Sequence, residues 1–157
     1  MEIESSFRGV ALEDGIGIFE AEALDACVSD AVREKTRRRD QRDSWESIPD
    51  ETISQHFSVL CFMDQKGLRF HLPAYMRFAV RNYETSDSAS VDSVIYALCR
   101  APQSVEKDWP LFSEKQRATI AKFLKFMVLE AGEQFVDSWQ ASLAYERTWS
   151  KYESTQT

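Results

Sequence analysis

Val59-Leu60-Cys61-Phe62-Met63-Asp64-Gln65-Lys66-Gly67-Leu68-Arg69-Phe70-His71-Leu72-Pro73 is the stretch on which the fold turns. It opens with a short apolar run, Val59 to Met63. Asp64 to Gly67 reads as a turn, with Gly67 able to take a positive φ that residues bearing a Cβ disfavour. Leu68 to Leu72 then alternates apolar and polar residues, the two-residue period of a strand. A small β-hairpin near residues 58–72 is the expectation, with Arg69 and Asp64 as an ion pair across it. Pro73 next opens a helix through Ala74-Tyr75-Met76-Arg77-Phe78-Ala79-Val80, because the missing N–H of a proline has no intrahelical partner in a first turn.

On both sides of that stretch the pattern is helical. Upstream, Phe19, Ala23, Ala26 and Cys27 recur at spacings of three and four, which predicts a helix over about residues 18–33. Gly15-Ile16-Gly17 ahead of it suits a tight turn or a short extended piece. Residues 33–44 are almost wholly charged or polar and either prolong the helix or form a solvated connection. Their cations (Arg33, Lys35, Arg37, Arg38, Arg39 and Arg42) alternate with Glu34, Asp40 and Asp43. That pattern suits a helix face laced with i,i+4 ion pairs better than a nucleic-acid groove. Pro49 then starts a short helix carrying Ile53 and Phe57.

Downstream, Ser90 can cap a helix holding Val91, Val94, Ile95, Leu98 and Cys99. Ser113 followed by Gln116 has the form of a capping box and starts a helix that stops at Gly132. A last helix from Glu133 carries Phe135, Val136, Trp139 and Leu143 on one stripe, and Tyr145, Trp149 and Tyr152 on a second. The fold class expected is mainly α: a compact helical domain of five to six helices with the one hairpin. Residues 1–157 form a single domain in this reading, with flexible ends at 1–5 and 153–157.

A chain of 157 residues buries about 70% of the surface its unfolded form exposes, so it needs no disulfide or metal staple. Its 19 Lys and Arg stand against 26 Asp and Glu, a net charge of −7. Such a surface repels phosphate backbones and anionic lipid and attracts a basic partner. Nucleic acid and membrane are therefore not expected partners. No stretch approaches the ~18 consecutive apolar residues of a membrane span, and the first ten residues do not form a secretory signal. Cys27, Cys61 and Cys99 include no Cys-x-x-Cys pair and read as reduced, buried thiols, which makes the cytoplasm the expected address.

Chemistry-bearing patterns are sparse. His56 and His71 are the two histidines; they share no His-x-x-x-His spacing and no Cys/His cluster, so no metal site is expected. Gly15-Ile16-Gly17 lacks the third glycine of a dinucleotide fingerprint, and no P-loop occurs, so no cofactor is expected. No serine sits in Gly-x-Ser-x-Gly. The cysteines have apolar neighbours, which raise a thiol pKa rather than lower it. Asp14, Glu20, Glu22 and Asp25 suit a solvated helix face better than an acid/base pair. No catalytic residue is assigned, and the chain is not expected to be an enzyme. The second aromatic stripe either packs on the core or places Trp149 and Tyr152 at a protein interface, where such rings anchor contacts.

Phe62-Met-Asp64-Gln-Lys-Gly67-Leu-Arg69-Phe70-His-Leu72-Pro73-Ala74-Tyr75-Met76, with Trp45 and Ile48-Pro49 before it and Gln116 and Phe123-Leu124-Lys125-Phe126 after it, resembles a family of small bacterial proteins grouped as a domain of unknown function. The resemblance spans roughly residues 7–130. It implies no reaction and no catalytic residue. Short acidic proteins of this type are often immunity proteins, which neutralise a toxin by binding it. The expected function is therefore a non-enzymatic protein-binding domain, an immunity-type inhibitor that occludes a toxin's active or binding surface. Its contact residues would be Glu13, Asp14, Glu20, Asp25, Tyr145, Trp149 and Tyr152. The alternatives are a small-molecule-binding domain or hydrolase-like enzyme using the Asp64–His71 segment, and a structural homodimer joined through the last helix.

Overall fold

The computed structural model describes residues 2–153. Its α-helices are α1 (Ile3–Ser6), α2 (Ile18–Asp25), α3 (Asp30–Arg37), α4 (Asp50–Gln55), α5 (Gln65–Asn82), α6 (Ser90–Cys99), α7 (Val105–Asp108), α8 (Glu114–Phe126) and α9 (Ser138–Ala144). Short 3₁₀ turns lie at Trp45–Ser47, Val59–Phe62 and Ser150–Tyr152, and π turns at Met127–Ala131 and Tyr145–Trp149.

The mainly α class agrees with the sequence, but the hairpin does not exist: no residue among those described is in a strand. Val59–Phe62 is a 3₁₀ turn, and everything from Gln65 to Asn82 is the single helix α5, with Pro73 inside it. Asp64 starts this helix as its N-cap, its carboxylate accepting the Gly67 N–H at 2.8 Å. The alternation at Leu68–Leu72 misleads because α5 is buried on nearly all sides. Leu68, Phe70, His71, Leu72, Ala74, Tyr75, Met76 and Phe78 are all buried, and a helix buried all round carries no 3.6-residue stripe. Pro73 removes one helical hydrogen bond and crowds the preceding turn, at about 3 kcal/mol. Burial of Phe70, Leu72, Tyr75 and Met76 around it contributes about 1.5–3 kcal/mol each, which decides the matter for helix.

The other elements wrap α5. α6 packs along it, α4 and the Trp45 turn cover a second side, and α1 a third. Trp45 is wholly buried, with its indole N–H donating to Phe7 O at 2.9 Å. The capping box that starts α8 is present in both directions: Ser113 Oγ accepts from Gln116 N, and Gln116 Oε1 accepts from Ser113 N. The helix predicted over 18–33 is two helices of eight residues each. Cys27 takes φ 52° between them, and Ser29 caps the second. Phe57 lies beyond the end of α4 and is exposed.

Residues 1 and 154–157, within the ends expected to be flexible, lie outside the described residues. Residues 3–6 form α1 with Ile3 buried. The cysteines are free thiols, but Cys27 and Cys61 are exposed rather than buried.

Candidate functional site

The charged segment 33–42 is largely solvated, with no buried residue in α3, but its ion pairs are not an i,i+4 ladder. Arg33, Arg37, Arg39 and Arg42 reach back to residues 13–20. Arg33 Nε lies 3.3 Å from Glu20 Oε1, and Arg37 bonds the other Glu20 oxygen. Arg37 also donates to Asp14 O (2.7 Å) and Gly15 O (3.2 Å), and Arg42 donates to Glu13 O (2.7 Å). Glu20 is only 2% exposed, so its carboxylate is neutralised inside the fold instead of being offered to a partner.

Asp40 completes this knot. Its two oxygens accept the N–H groups of Phe19 (2.8 Å) and Glu20 (3.2 Å), capping α2 from twenty residues away. Desolvation raises the Asp40 pKa above its ordinary value, although those two N–H bonds oppose the rise. One turn further along, Asp64 Oδ1 takes the N–H groups of both Ile16 (3.0 Å) and Gly67 (2.8 Å). The glycines exist for these approaches: a Cβ on Gly67 would sit 2.2 Å from Ile16 O. Asp64 is thus a capping residue, and Arg69 turns to Gln116 Oε1 at 3.4 Å rather than pairing with Asp64.

Between α2, the Arg39–Gln41 loop, the Ser47–Thr52 segment and α5 lies a cleft of about 180 Å³, lined among others by Phe19, Arg39, Asp40, Ile48, Thr52 and His71. Arg39 stacks on Phe19 with its guanidinium 4.2 Å from the ring centroid, and His56 meets the same ring edge-on at 5.3 Å. His71 is 1% exposed. Burial pushes its pKa down to about 4, against a smaller opposing effect of the bond to Gly67 O. The ring is therefore neutral near pH 7. Among the described residues no group of three or more His, Cys, Asp or Glu side chains is placed to hold a metal ion.

The proposed contact residues separate into several environments. Glu13 and Asp14 are exposed and share Lys66, at 2.7 and 2.6 Å; the Lys66 bond lowers the Asp14 pKa. Asp25 is exposed at the end of α2. Tyr145 donates to Glu153, and Tyr152 to Glu106. Trp149 is wholly buried, its indole N–H donating to Leu98 O at 3.1 Å. It is a core residue, which corrects its assignment, like that of Glu20, to a partner surface.

The first stripe of the last predicted helix is split: Val136 is in the core, Leu143 is half-buried, and the exposed apolar residues are Phe135 and Trp139 together with Leu129 of the preceding π turn. Trp139 is 70%, Leu129 65% and Phe135 38% exposed. The core-facing side of α9 is set by Ala141 and Ala144, packed on α6. Alanines allow a close approach but give little hydrophobic signal, so the stripe with the larger side chains was the natural choice for the core. Phe135 meets Tyr83 edge-on at 5.8 Å, and Tyr83 meets Phe126 at 5.9 Å. This joins the loop before α9 to the end of α8.

The model of a family of unknown function, DUF6714, matches residues 1–153. The chain belongs to DUF6714. A domain-of-unknown-function family is also what the sequence resembles. No curated protein and no solved structure matches this DUF6714 chain. No helix among the described residues is long and apolar enough to cross a membrane.

Proposed function

We propose that the domain binds a basic protein surface through the segment that carries Leu129, Phe135 and Trp139, and that it acts as an immunity-type inhibitor of a toxin. The exposure of Trp139 carries this reading. A tryptophan left 70% in water forgoes stabilisation of about 1.5–3 kcal/mol that burial of a large apolar side chain contributes, and tryptophan is the residue most enriched among interface anchors. Charge supports it as well. Residues 126–146 contain Glu130, Glu133, Asp137 and Glu146 and not one Lys or Arg. An aromatic face within an acidic segment suits a cationic cleft, which it would occlude. The net charge of −7, including exposed Glu13, Asp14 and Asp25, would speed the encounter.

The test is co-purification with the product of the neighbouring gene, followed by Trp139→Ala. Removal of an anchor of this kind weakens binding by about 2 kcal/mol or more, roughly thirtyfold, while the free domain keeps its stability. Full binding by both Trp139→Ala and a Glu130→Lys/Glu133→Lys double variant would remove the face from consideration. Loss of the gene without sensitisation to any adjacent toxin would remove the inhibitor role. A dimer that dissociates on Trp139→Ala would instead identify the occupant as a second copy of the chain.

A further inference from the structure

We propose that the cleft beside His71 is a binding site for a small, planar, uncharged heterocycle that donates N–H bonds, a single ring of the aminopyrimidine kind. This rests on a different part of the molecule from the Trp139 segment and does not depend on a protein partner.

The polarity of the site follows from one bond. His71 Nδ1 lies 2.8 Å from Gly67 O. A carbonyl oxygen only accepts, so Nδ1 carries the proton and Nε2 holds a bare lone pair. No described residue donates to Nε2, although the side chain is 99% buried and lines the cleft. Nε2 is not among the fully enclosed polar atoms left without a partner, so the small exposed surface of His71 includes this acceptor, and the cleft is the side from which a donor can arrive. Asp40 offers a second acceptor there: each of its oxygens accepts one backbone N–H, and each has a further lone pair.

The remaining polar groups narrow the choice. Gln41 is largely engaged, one amide N–H donating to Ser47 Oγ and its oxygen accepting from Arg42 N and Asp43 N. Ser47 in turn donates to Ser44 O. Thr52 adds one hydroxyl that can donate or accept; the remaining walls, Ile18, Phe19, Ile48 and Pro49, are apolar and suit a flat ring. A volume of about 180 Å³ lies below the ~300 Å³ at which drug-sized sites begin, and near the ~150 Å³ of a cavity that takes up benzene. A cation would be drawn to the Asp40 carboxylate but meet the Arg39 guanidinium at the same cleft. An anion would meet the Asp40 carboxylate. A neutral donor ring satisfies all of these conditions.

The experiment follows the His71 Nε2 signal by ¹⁵N NMR in the full chain at neutral pH, during titration with 2-aminopyrimidine, cytosine and unsubstituted pyrimidine. The first two have N–H donors; the third has the same shape without them. The expected result is a saturable upfield shift of Nε2 with the two donors and none with pyrimidine. Ser47→Trp, at an exposed rim position, is expected to weaken the donor probes at least tenfold while leaving the free His71 signal in place. No shift with either donor at millimolar concentration would overturn the site. An equal response to pyrimidine would overturn the assignment of donor chemistry.

Discussion

Asp40 occupies the space where a side chain on Gly17 would begin: a Cβ at Gly17 would lie 2.2 Å from Asp40 Cγ. The φ of Gly17 is −89°, so the glycine is needed for room and not for an unusual backbone. Through that gap Asp40 reaches the first N–H groups of α2, and the arginine-rich segment is tied to the glycine turn.

Gly17→Ala is therefore expected to destabilise the domain by about 2–3 kcal/mol, combining overpacking with loss of the cap. Asp40→Ala alone should cost about 1–2 kcal/mol as a lost helix cap. The double variant should cost less than the sum, because removing the carboxylate opens the space the new methyl needs. Urea denaturation of the four proteins measures this, and strict additivity would contradict the steric account.

Glu20 sits between two arginines of unequal exposure. Glu20→Ala removes the buried carboxylate shared by two arginines and leaves Arg37, 24% exposed, with only the carbonyls of Asp14 and Gly15; it should cost about 1.5–3 kcal/mol. Arg33 is 44% exposed, so Arg33→Ala should cost no more than about 1 kcal/mol. Comparable losses for the two variants, read from urea midpoints at constant m-value, would show that the buried pairing is not what holds the segment.

His71 links stability to acid. Its pKa falls from an ordinary 6.5 to about 4 in the fold, so between these values the unfolded chain binds the proton and the native one does not. Stability is complete above about pH 6.5 and declines as pH drops towards 4, by about 3 kcal/mol at the lower limit. His71→Gln cannot titrate and should lack this part of the decline, whatever the carboxylates add to both proteins. Parallel pH dependences of the urea midpoint in the two proteins, from pH 7 to 4.5, would exclude the effect.

Trp149 and Trp139, ten residues apart, should behave as opposites. Trp149→Ala removes a fully buried ring and its bond to Leu98 O, at about 3–5 kcal/mol. Trp139→Ala should change stability by less than about 0.5 kcal/mol. Acrylamide should quench the fluorescence lost in Trp139→Ala far better than that of Trp149. Equal quenching would contradict the placement of the two rings.

Local chemistry was legible in the sequence. The capping box of Ser113 and Gln116 is a contact between residues three apart, and it is present as the pattern predicts. The apolar spacing of Val91, Val94, Ile95 and Leu98 likewise marks the buried side of α6. The second half of the predicted first helix was less legible, because a single residue, Cys27, takes a positive φ that no neighbouring pattern announces. Among the candidate site residues, exposed Asp14 and Asp25 could be read from local polarity. Glu20 could not, since its partners Arg33 and Arg37 come from another helix.

From the sequence alone came what depends on neighbours along the chain: mainly helical content, the Ser113–Gln116 cap though not the one expected at Ser90, whose hydroxyl bonds Ile53 O instead, an acidic net charge, and the lack of a long apolar run. Only the tertiary structure decided that residues 65–82 are one helix, that Asp40 belongs to α2, and that Trp149 is inside while Trp139 is outside. The reason is the same in each case. Burial is imposed by groups arriving from distant parts of the chain, such as Ile16 O against Gly67 or α6 against Ala141. A helix enclosed on all sides, or packed through alanines, leaves no periodic trace of what encloses it.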